Sequence, residues 1–253
     1  MILLVTDTSG KNGSVALARA EEGATTHAVE IIEESPLTGG TFSAQLVPQI
    51  ATLLANHGIS KADIGAFVVV SGPGSFTGLR VGLAAVKGLS EILQKPIVPV
   101  SLLEVMARSE IFVAAGSEDS AKLFVCRHAA VLDAGRSEAF VGQFEIAYTG
   151  TRMSAFRCVS ESLLGFDAMA ALIESGTAQW VATPDATIAD YLTARLTSPA
   201  KSTIFKKAAR PRIIEIATVA WTKLQAGEIV SADQLEANYM RRSDAEIFGK
   251  PNS

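Results

Sequence analysis

Apolar positions follow two rhythms along this chain. Near the start they fall in short dense runs, Ile2–Thr6, Gly13–Arg19 and a third near Ala28–Glu33, which read as strands. Asp7-Thr-Ser-Gly-Lys-Asn-Gly13, between the first two, is rich in hairpin-turn residues. The rhythm then lengthens. Leu46, Ile50, Leu53 and Leu54 predict a helix over Ser43–His57, stopped by Gly58, with Pro48 in its tolerant first turns. Ser60 caps a short turn before a strand at Ala66–Val70, and a long helix follows, ending near Gln94. Ser101, with Glu104 at the capping-box position, starts another helix over Leu102–Ala115.

After Gly116-Ser-Glu-Asp-Ser120 the pattern restarts. Phe124–Leu132 reads as a strand, Asp133-Ala-Gly-Arg-Ser-Glu138 as a turn and Ala139–Ala147 as a second strand. The two Asp-led turns, at Asp7 and Asp133, are displaced by 126 residues, and each Asp precedes a valine (Val15, Val141) by eight. Further strands near Thr151–Val159 and Trp180–Ala182 extend the repeat, as do helices near Leu163–Ser175 and Ala186–Leu196. A last helix, Arg210–Ala226, has Pro211 at its start and Gly227 as its stop. A duplicated β-meander-plus-helix half resembles the actin, Hsp70 and sugar-kinase (ASKHA, ribonuclease H-like) fold. That resemblance implies an α/β protein of two lobes facing each other across a nucleotide cleft, with the Asp-led hairpins on the phosphate and metal side. The expected first lobe is 1–108 with 210–227, the second 109–209, and 228–253 is a tail.

The run Ser71-Gly-Pro-Gly-Ser-Phe-Thr-Gly-Leu-Arg-Val-Gly82 joins the Ala66–Val70 strand to the long helix. Glycines at such a junction either aim N–H groups at an anion or let another backbone approach closely. The spacing is G-x-G-x3-G and no Gly-Lys-Ser/Thr follows, so neither nucleotide fingerprint is met. Pro73 removes a further donor. Packing is therefore the favoured reading. On a helical wheel Gly78, Gly82, Ala85 and Leu89 share a line, and Val81, Ala84, Gly88 and Ile92 form the neighbouring stripe. Leu79, Leu83, Val86 and Leu93 cover the other flank, leaving a narrow polar edge of Arg80, Lys87 and Glu91. One face covers the sheet. The rest needs another helix, from the chain or a partner, and the line of small residues suits close approach.

Composition narrows the class. Of 253 residues 48% are hydrophobic and 19% charged, which builds a substantial core and argues against disorder. The net charge of −4 and the lack of a basic stripe argue against a chain that grips nucleic acid alone. No apolar run approaches a membrane span, Met1-Ile-Leu-Leu-Val-Thr-Asp7 has no basic n-region, and two cysteines make no disulfide framework. These features predict a cytoplasmic protein.

The glycine run, followed by Leu83-Ala84 and Lys87-Gly-Leu, resembles the signature of the bacterial TsaB (YeaZ) family. Met1-Ile-Leu-Leu-Val-Thr-Asp-Thr-Ser resembles that family's opening strand and turn, and Ile97-Val-Pro-Val-Ser-Leu-Leu its strand and cap after the signature helix. Asp133-Ala-Gly-Arg-Ser-Glu and Asn238-Tyr-Met-Arg resemble its second-half turn and C-terminal segment. The match is strong over 1–108, patchy over 125–150 and faint elsewhere. Two departures stand out: Phe42-Ser-Ala-Gln45 where many members carry His-Ser-Glu, and Asp133-Ala-Gly-Arg where Asp-Ala-Arg is usual. The resemblance implies a non-catalytic subunit that binds TsaD, the metal-dependent enzyme placing threonylcarbamoyl on adenosine 37 of tRNA, and that works together with TsaE. It further implies no cofactor of its own, ATP and metal being used by the partner subunits. tRNA is expected to be met only through the complex, and without TsaD the apolar surface of the signature helix is expected to pair with itself as a two-fold dimer. The same group carries an M22 peptidase label. The rival of another class is a stand-alone acyl or sugar kinase of the same superfold.

Candidate residues follow. The partner interface is expected at Gly74, Phe76, Gly78, Arg80, Gly82, Leu83, Ala85 and Lys87, with Phe76 either a core anchor or an interface plug. Asp7 with Ser9, Ser14 and Lys11, and Asp133, are the candidates for nucleotide contact. The alternative is that each Asp closes its own Asx turn, favoured for Asp133 and evenly weighted for Asp7. Ser75 is expected to cap the helix rather than act as a nucleophile. Arg241 and Arg242, near Lys250, are candidates for tRNA phosphates, against the simpler reading of solvated terminal charges. His27, His57 and His128 form no metal-binding spacing, so no metal site is expected. Cys126 and Cys158 are expected as buried thiols.

Overall fold

In the computed structural model, residues 1–21, 28–38, 40–109, 123–149, 152–196 and 204–240 are described. They form two compact units: Met1–Leu102 with Pro211 onward, and Leu103–Arg210.

The first unit is built on a five-stranded sheet. Its strands are β1 (Ile2–Asp7), β2 (Gly13–Ala20), β3 (Val29–Leu37), β4 (Ile64–Gly72) and β5 (Ile97–Ser101), in the order β3-β2-β1-β4-β5. β1 pairs antiparallel with β2 and parallel with β4, and β4 runs parallel to β5. Leu3, Leu4, Val5 and Thr6 are all fully buried, so both faces of the sheet are covered. One face carries α1 (Phe42–Asn56) and α2 (Phe76–Leu93), which pack on each other; α6 (Ile213–Gln225) crosses all five strands.

The second unit repeats the plan. β6 (Leu123–Gly135), β7 (Glu138–Thr149), β8 (Arg152–Gly165), β9 (Trp180–Thr183) and β10 (Ile204–Lys207) are ordered β8-β7-β6-β9-β10. α4 (Phe166–Glu174) and α5 (Ala186–Arg195) close a core of Ala129, Val131, Val141, Met169, Ile173 and Ile188. The order matches the first sheet strand for strand, as the sequence repeat predicts.

Three boundaries differ from the sequence reading. α3 (Leu102–Ser109) belongs to the second unit from Leu103 onward, because Leu103 packs against Gly142 of β7 and the Arg108 guanidinium lies 3.8 Å from the Phe156 ring of β8. Its expected continuation over 110–115 lies outside the described residues. Leu163 and Leu164, expected to open a helix, extend β8 instead, paired with Phe140 and Ala139. A short apolar run fits either element until its neighbour is known. Residues 228–240 are no separate tail: Val230 bridges Ile97 on β5, and Leu235 is 1% exposed. β10 is four residues long and escaped the sequence reading.

Candidate functional site

The glycine run does pack closely, and what it packs against is its own unit. Ser75 caps α2, its Oγ accepting from the Gly78 N–H at 3.2 Å, and the Ser75 N–H donates to the Ser9 carbonyl at 2.7 Å. A Cβ on Gly74 would stand 2.3 Å from the Ser9 carbonyl oxygen, one on Gly78 2.1 Å from that of Thr8, and one on Gly82 2.4 Å from the Thr8 hydroxyl. The β1–β2 turn thus lies on α2 where only glycine leaves room. Gly78, Gly82 and Leu83 are buried here and are not free for a partner. This corrects the expectation that the glycine line receives a neighbouring subunit. Phe42 fills the adjoining space beside Gly13 and Gly78. Gln45 braces the same corner, accepting from the Thr38 N–H at 2.9 Å and donating to the Thr41 hydroxyl. The departure Phe42-Ser-Ala-Gln45 is thereby accommodated by packing and neutral hydrogen bonds.

The face of α2 left open is the neighbouring stripe. Ala84 and Gly88 are exposed, Val81 and Ala85 half-buried, and Ile92 is 79% exposed. Around Gly88 a Cβ would meet nothing within 4 Å. On α1, which packs beside α2, Val47 is 55% exposed.

The polar edge of α2 faces the chain's own C-terminal segment. The Arg80 guanidinium lies 3.7 Å from the centre of the Phe76 ring, and its Nε donates to the Tyr239 hydroxyl at 3.2 Å. The Phe76 and Tyr239 rings are 4.8 Å apart. Phe76 is therefore an intramolecular anchor. The Asp233 carboxyl is held below its usual range by the Ser231 hydroxyl first, then by backbone N–H groups, and last by the Lys87 charge. Gly72 sits at φ +142, where only glycine is unstrained, and a Cβ there would be 2.8 Å from the Asn238 carbonyl oxygen. Asn238 in turn donates its N–H to the Ser71 carbonyl at 2.8 Å.

The two Asp-led turns close on themselves. Asp7 Oδ1 accepts from the Ser9 N–H at 2.9 Å and the Ser9 hydroxyl at 2.6 Å. Asp133 Oδ1 accepts from the Gly135 N–H at 2.7 Å. Both are Asx turns, the alternative weighed for each. Ser9 is buried beneath α2, Ser14 pairs with Asp7 across the hairpin and Lys11 is exposed. The Asp133 N–H donates at 2.8 Å to Asp185, which also takes a 3.2 Å ion pair from Arg210. Asp185 went unnoticed in the sequence, although an Asp after Pro184 and before a helical run is a capping pattern. Thr8 and Tyr239 were missed as well. Arg241 and Arg242 lie outside the described residues.

Among the described residues no group of three or more His, Cys, Asp or Glu side chains converges as a metal site. His128 is 4% exposed, its Nε2 has no hydrogen-bond partner, and burial pushes its imidazole down to about 4. Cys126 is half-buried and its thiol is pushed up by burial, whereas Cys158 is exposed, contrary to expectation. β8 is the edge strand, and its register against β7 shifts beside Cys158. No described helix is long and apolar enough to cross a membrane.

The comparisons agree with this architecture. The chain is 36% identical over 109 residues to the tRNA threonylcarbamoyladenosine biosynthesis protein TsaB of Haemophilus influenzae, covering 43% of each chain. It is 33% identical over 107 residues to the TsaB of Bacillus subtilis, covering 42% of this chain and 44% of that one. The aligned region thus spans less than half the length of these curated relatives. The solved structure of YeaZ from Pseudomonas aeruginosa superposes with a TM-score of 0.64 at 25% identity, over 94% of this chain and all of the other. The profile of TsaD, tRNA N6-adenosine threonylcarbamoyltransferase, matches residues 37–251. A match of that extent, on a duplicated actin-like fold shared with YeaZ, means that the chain belongs to the TsaD family and, within it, to the TsaB (YeaZ) group.

Proposed function

We propose that this chain is an accessory subunit in the formation of N6-threonylcarbamoyladenosine on tRNA, and that it docks on TsaD through the exposed face of α2. The family match and the names of the TsaB relatives support the pathway. The observation that carries the docking role is the stripe Val81, Ala84, Gly88 and Ile92, an apolar and small-residue face on a helix whose opposite side is fully engaged. Small residues let a partner helix approach closely, and Ile92 supplies an apolar anchor.

In this reading the subunit does no chemistry, and ATP and metal are handled by TsaD and TsaE. tRNA is met through the complex, the chain alone pairs with itself through the same face, and the setting is the cytoplasm. The self-closed Asp turns favour this role over a stand-alone kinase, which would need those turns open to phosphate. A peptidase of the M22 type would need a histidine pair. Of the two described histidines, His57 is bound to Glu33 at 2.6 Å and His128 is buried.

The test is copurification with TsaD of the same organism, read by size-exclusion mass. Ile92→Glu and Ala84→Arg are the informative variants, since both change only the open face. Gly82→Leu is not, because it would overfill the contact with Thr8. A stable complex that survives both open-face variants refutes the docking site, and a robust ATPase or kinase rate from the purified chain alone refutes the accessory role.

A further inference from the structure

The segment after α6 returns along α2. Val230 and Ile97 exchange backbone hydrogen bonds of 2.9 and 3.1 Å, Leu235 is buried, Asp233 lies within the field of Lys87, and Asn238 and Tyr239 reach Ser71, Phe76 and Arg80. The segment therefore runs as a strap from the middle of α2 to its first turn. Its two ends are held differently. Leu235 is a core anchor. Tyr239 is 43% exposed, and its side chain is held by one hydrogen bond, one ring contact and the charge of Arg80, which is 5.9 Å from the Tyr239 ring and 3.7 Å from that of Phe76.

The first turn of α2 needs such a hold. It follows Gly72-Pro-Gly74, it contains Gly78, and glycine leaves a helix start conformationally loose. Its fixings are the Ser75 cap, the Thr8–Ser9 turn on the inner side and Tyr239 on the polar side. The third lies on the solvent-exposed side, at the near end of the open stripe.

We infer that Tyr239 and Arg80 are positioning residues for the docking helix: the strap preorganises the first turns of α2 for a partner that binds the open stripe. Neither residue need touch that partner. This inference rests on the docking role proposed above, and its experiment separates the two. A flexible surface that must be ordered on binding weakens the complex by the cost of that ordering.

The experiment uses the full chain with TsaD, reading affinity by calorimetry and backbone hydrogen exchange of the free chain. Tyr239→Ala is expected to speed exchange at residues 76–80 while leaving β1 and β4 unchanged, and to weaken binding roughly tenfold. Tyr239→Phe keeps the ring contact and should restore most of both. Arg80→Lys keeps the charge but not the planar stack, and should behave as Tyr239→Ala does. Normal affinity for Tyr239→Ala, with Ile92→Glu abolishing binding, overturns the strap inference and leaves docking standing. Normal affinity for Ile92→Glu overturns docking itself. Faster exchange across the whole unit in Tyr239→Ala would mark a merely structural role and also overturns the inference.

Discussion

Two glycines six residues apart on α2 should respond to alanine with opposite signs. Gly88 has nothing within 4 Å of a new Cβ, so Gly88→Ala should show only the helix-propensity gain, about 1 kcal/mol. Gly82→Ala has the same gain, but its Cβ would lie 2.4 Å from the Thr8 hydroxyl oxygen. Thr8 is β-branched and buried, and its hydroxyl sits on Cβ with no long stem to swing it away. Relief must come from a shift of the turn or the helix, at the upper end of the ~1–3 kcal/mol typical of overpacking. Gly82→Ala should therefore lose about 2 kcal/mol net, some 3 kcal/mol below Gly88→Ala. Thr8→Ala supplies the control. The Thr8 hydroxyl makes no hydrogen bond, so removing it sacrifices none, and it vacates the contested position. The double variant should recover most of the loss, a coupling of the size expected for touching residues. Urea denaturation followed by Trp221 fluorescence, in a Trp180→Phe background, reads the first unit, where Trp221 lies on α6. Equal stabilities for the two alanine variants, or no rescue by Thr8→Ala, would refute the close-approach argument.

Other consequences are smaller in reach. His128 is neutral in the fold, its pKa pushed down from about 6.5 to about 4, while the unfolded chain takes up the proton at the higher value. Its contribution should be fully present above pH ~6.5 and lost as pH falls toward 4, a loss of at most about 3 kcal/mol. His128→Gln should flatten that part of a stability–pH curve measured on the second unit; an unchanged slope would assign it to other groups. Gly72→Ala forces a side chain into φ +142 against Asn238, so hydrogen exchange should rise along 235–240 before it rises in β4. Asp185→Ala strands the Asp133 N–H and the Arg210 guanidinium; a loss of about 1–2 kcal/mol in the second unit is expected, and Asp185→Asn should retain the N–H contact but not the ion pair.

The duplicated architecture was legible because hydrophobic rhythm and turn chemistry repeat with the same spacing in both halves. Boundaries were less so: Leu163 and Leu164 satisfy strand and helix patterns alike, and only pairing with β7 decides between them. For the candidate site, the glycine line was legible as a close-approach surface, but its occupant was not. A helical wheel ranks faces by side-chain size and polarity, and the line Gly78, Gly82, Ala85 is the smallest, so it invited a partner. Thr8, the actual occupant, lies in a turn some seventy residues earlier, a long-range contact that local spacing cannot carry. The same limit applies to Tyr239, which closes on Arg80 across 159 positions. It also applies to Asp185, which meets Asp133 across 52.

The two Asp turns bear on the accessory role proposed above. Phosphate binding at a hairpin requires backbone N–H groups that are free to point at the anion. Here the first turn donates the Ser9 N–H to Asp7, while α2 grips the Ser9 carbonyl through the Ser75 N–H. The second turn donates the Gly135 N–H to Asp133 and the Asp133 N–H to Asp185, so both donors are already engaged by carboxylates of the chain itself. Asp185 is held there by Arg210, and an incoming anion would have to displace a paired charge that is 17% exposed. Repulsion between that carboxylate and a phosphate adds to the cost. Turns tied down in this way are poorly disposed to receive an anion and are held rigid. In the first unit that rigidity extends to α2, whose inner face holds the turn and whose outer face is open. Stiffness in that helix is what a docking surface needs and what a kinase, which must open and close around its nucleotide, would not keep.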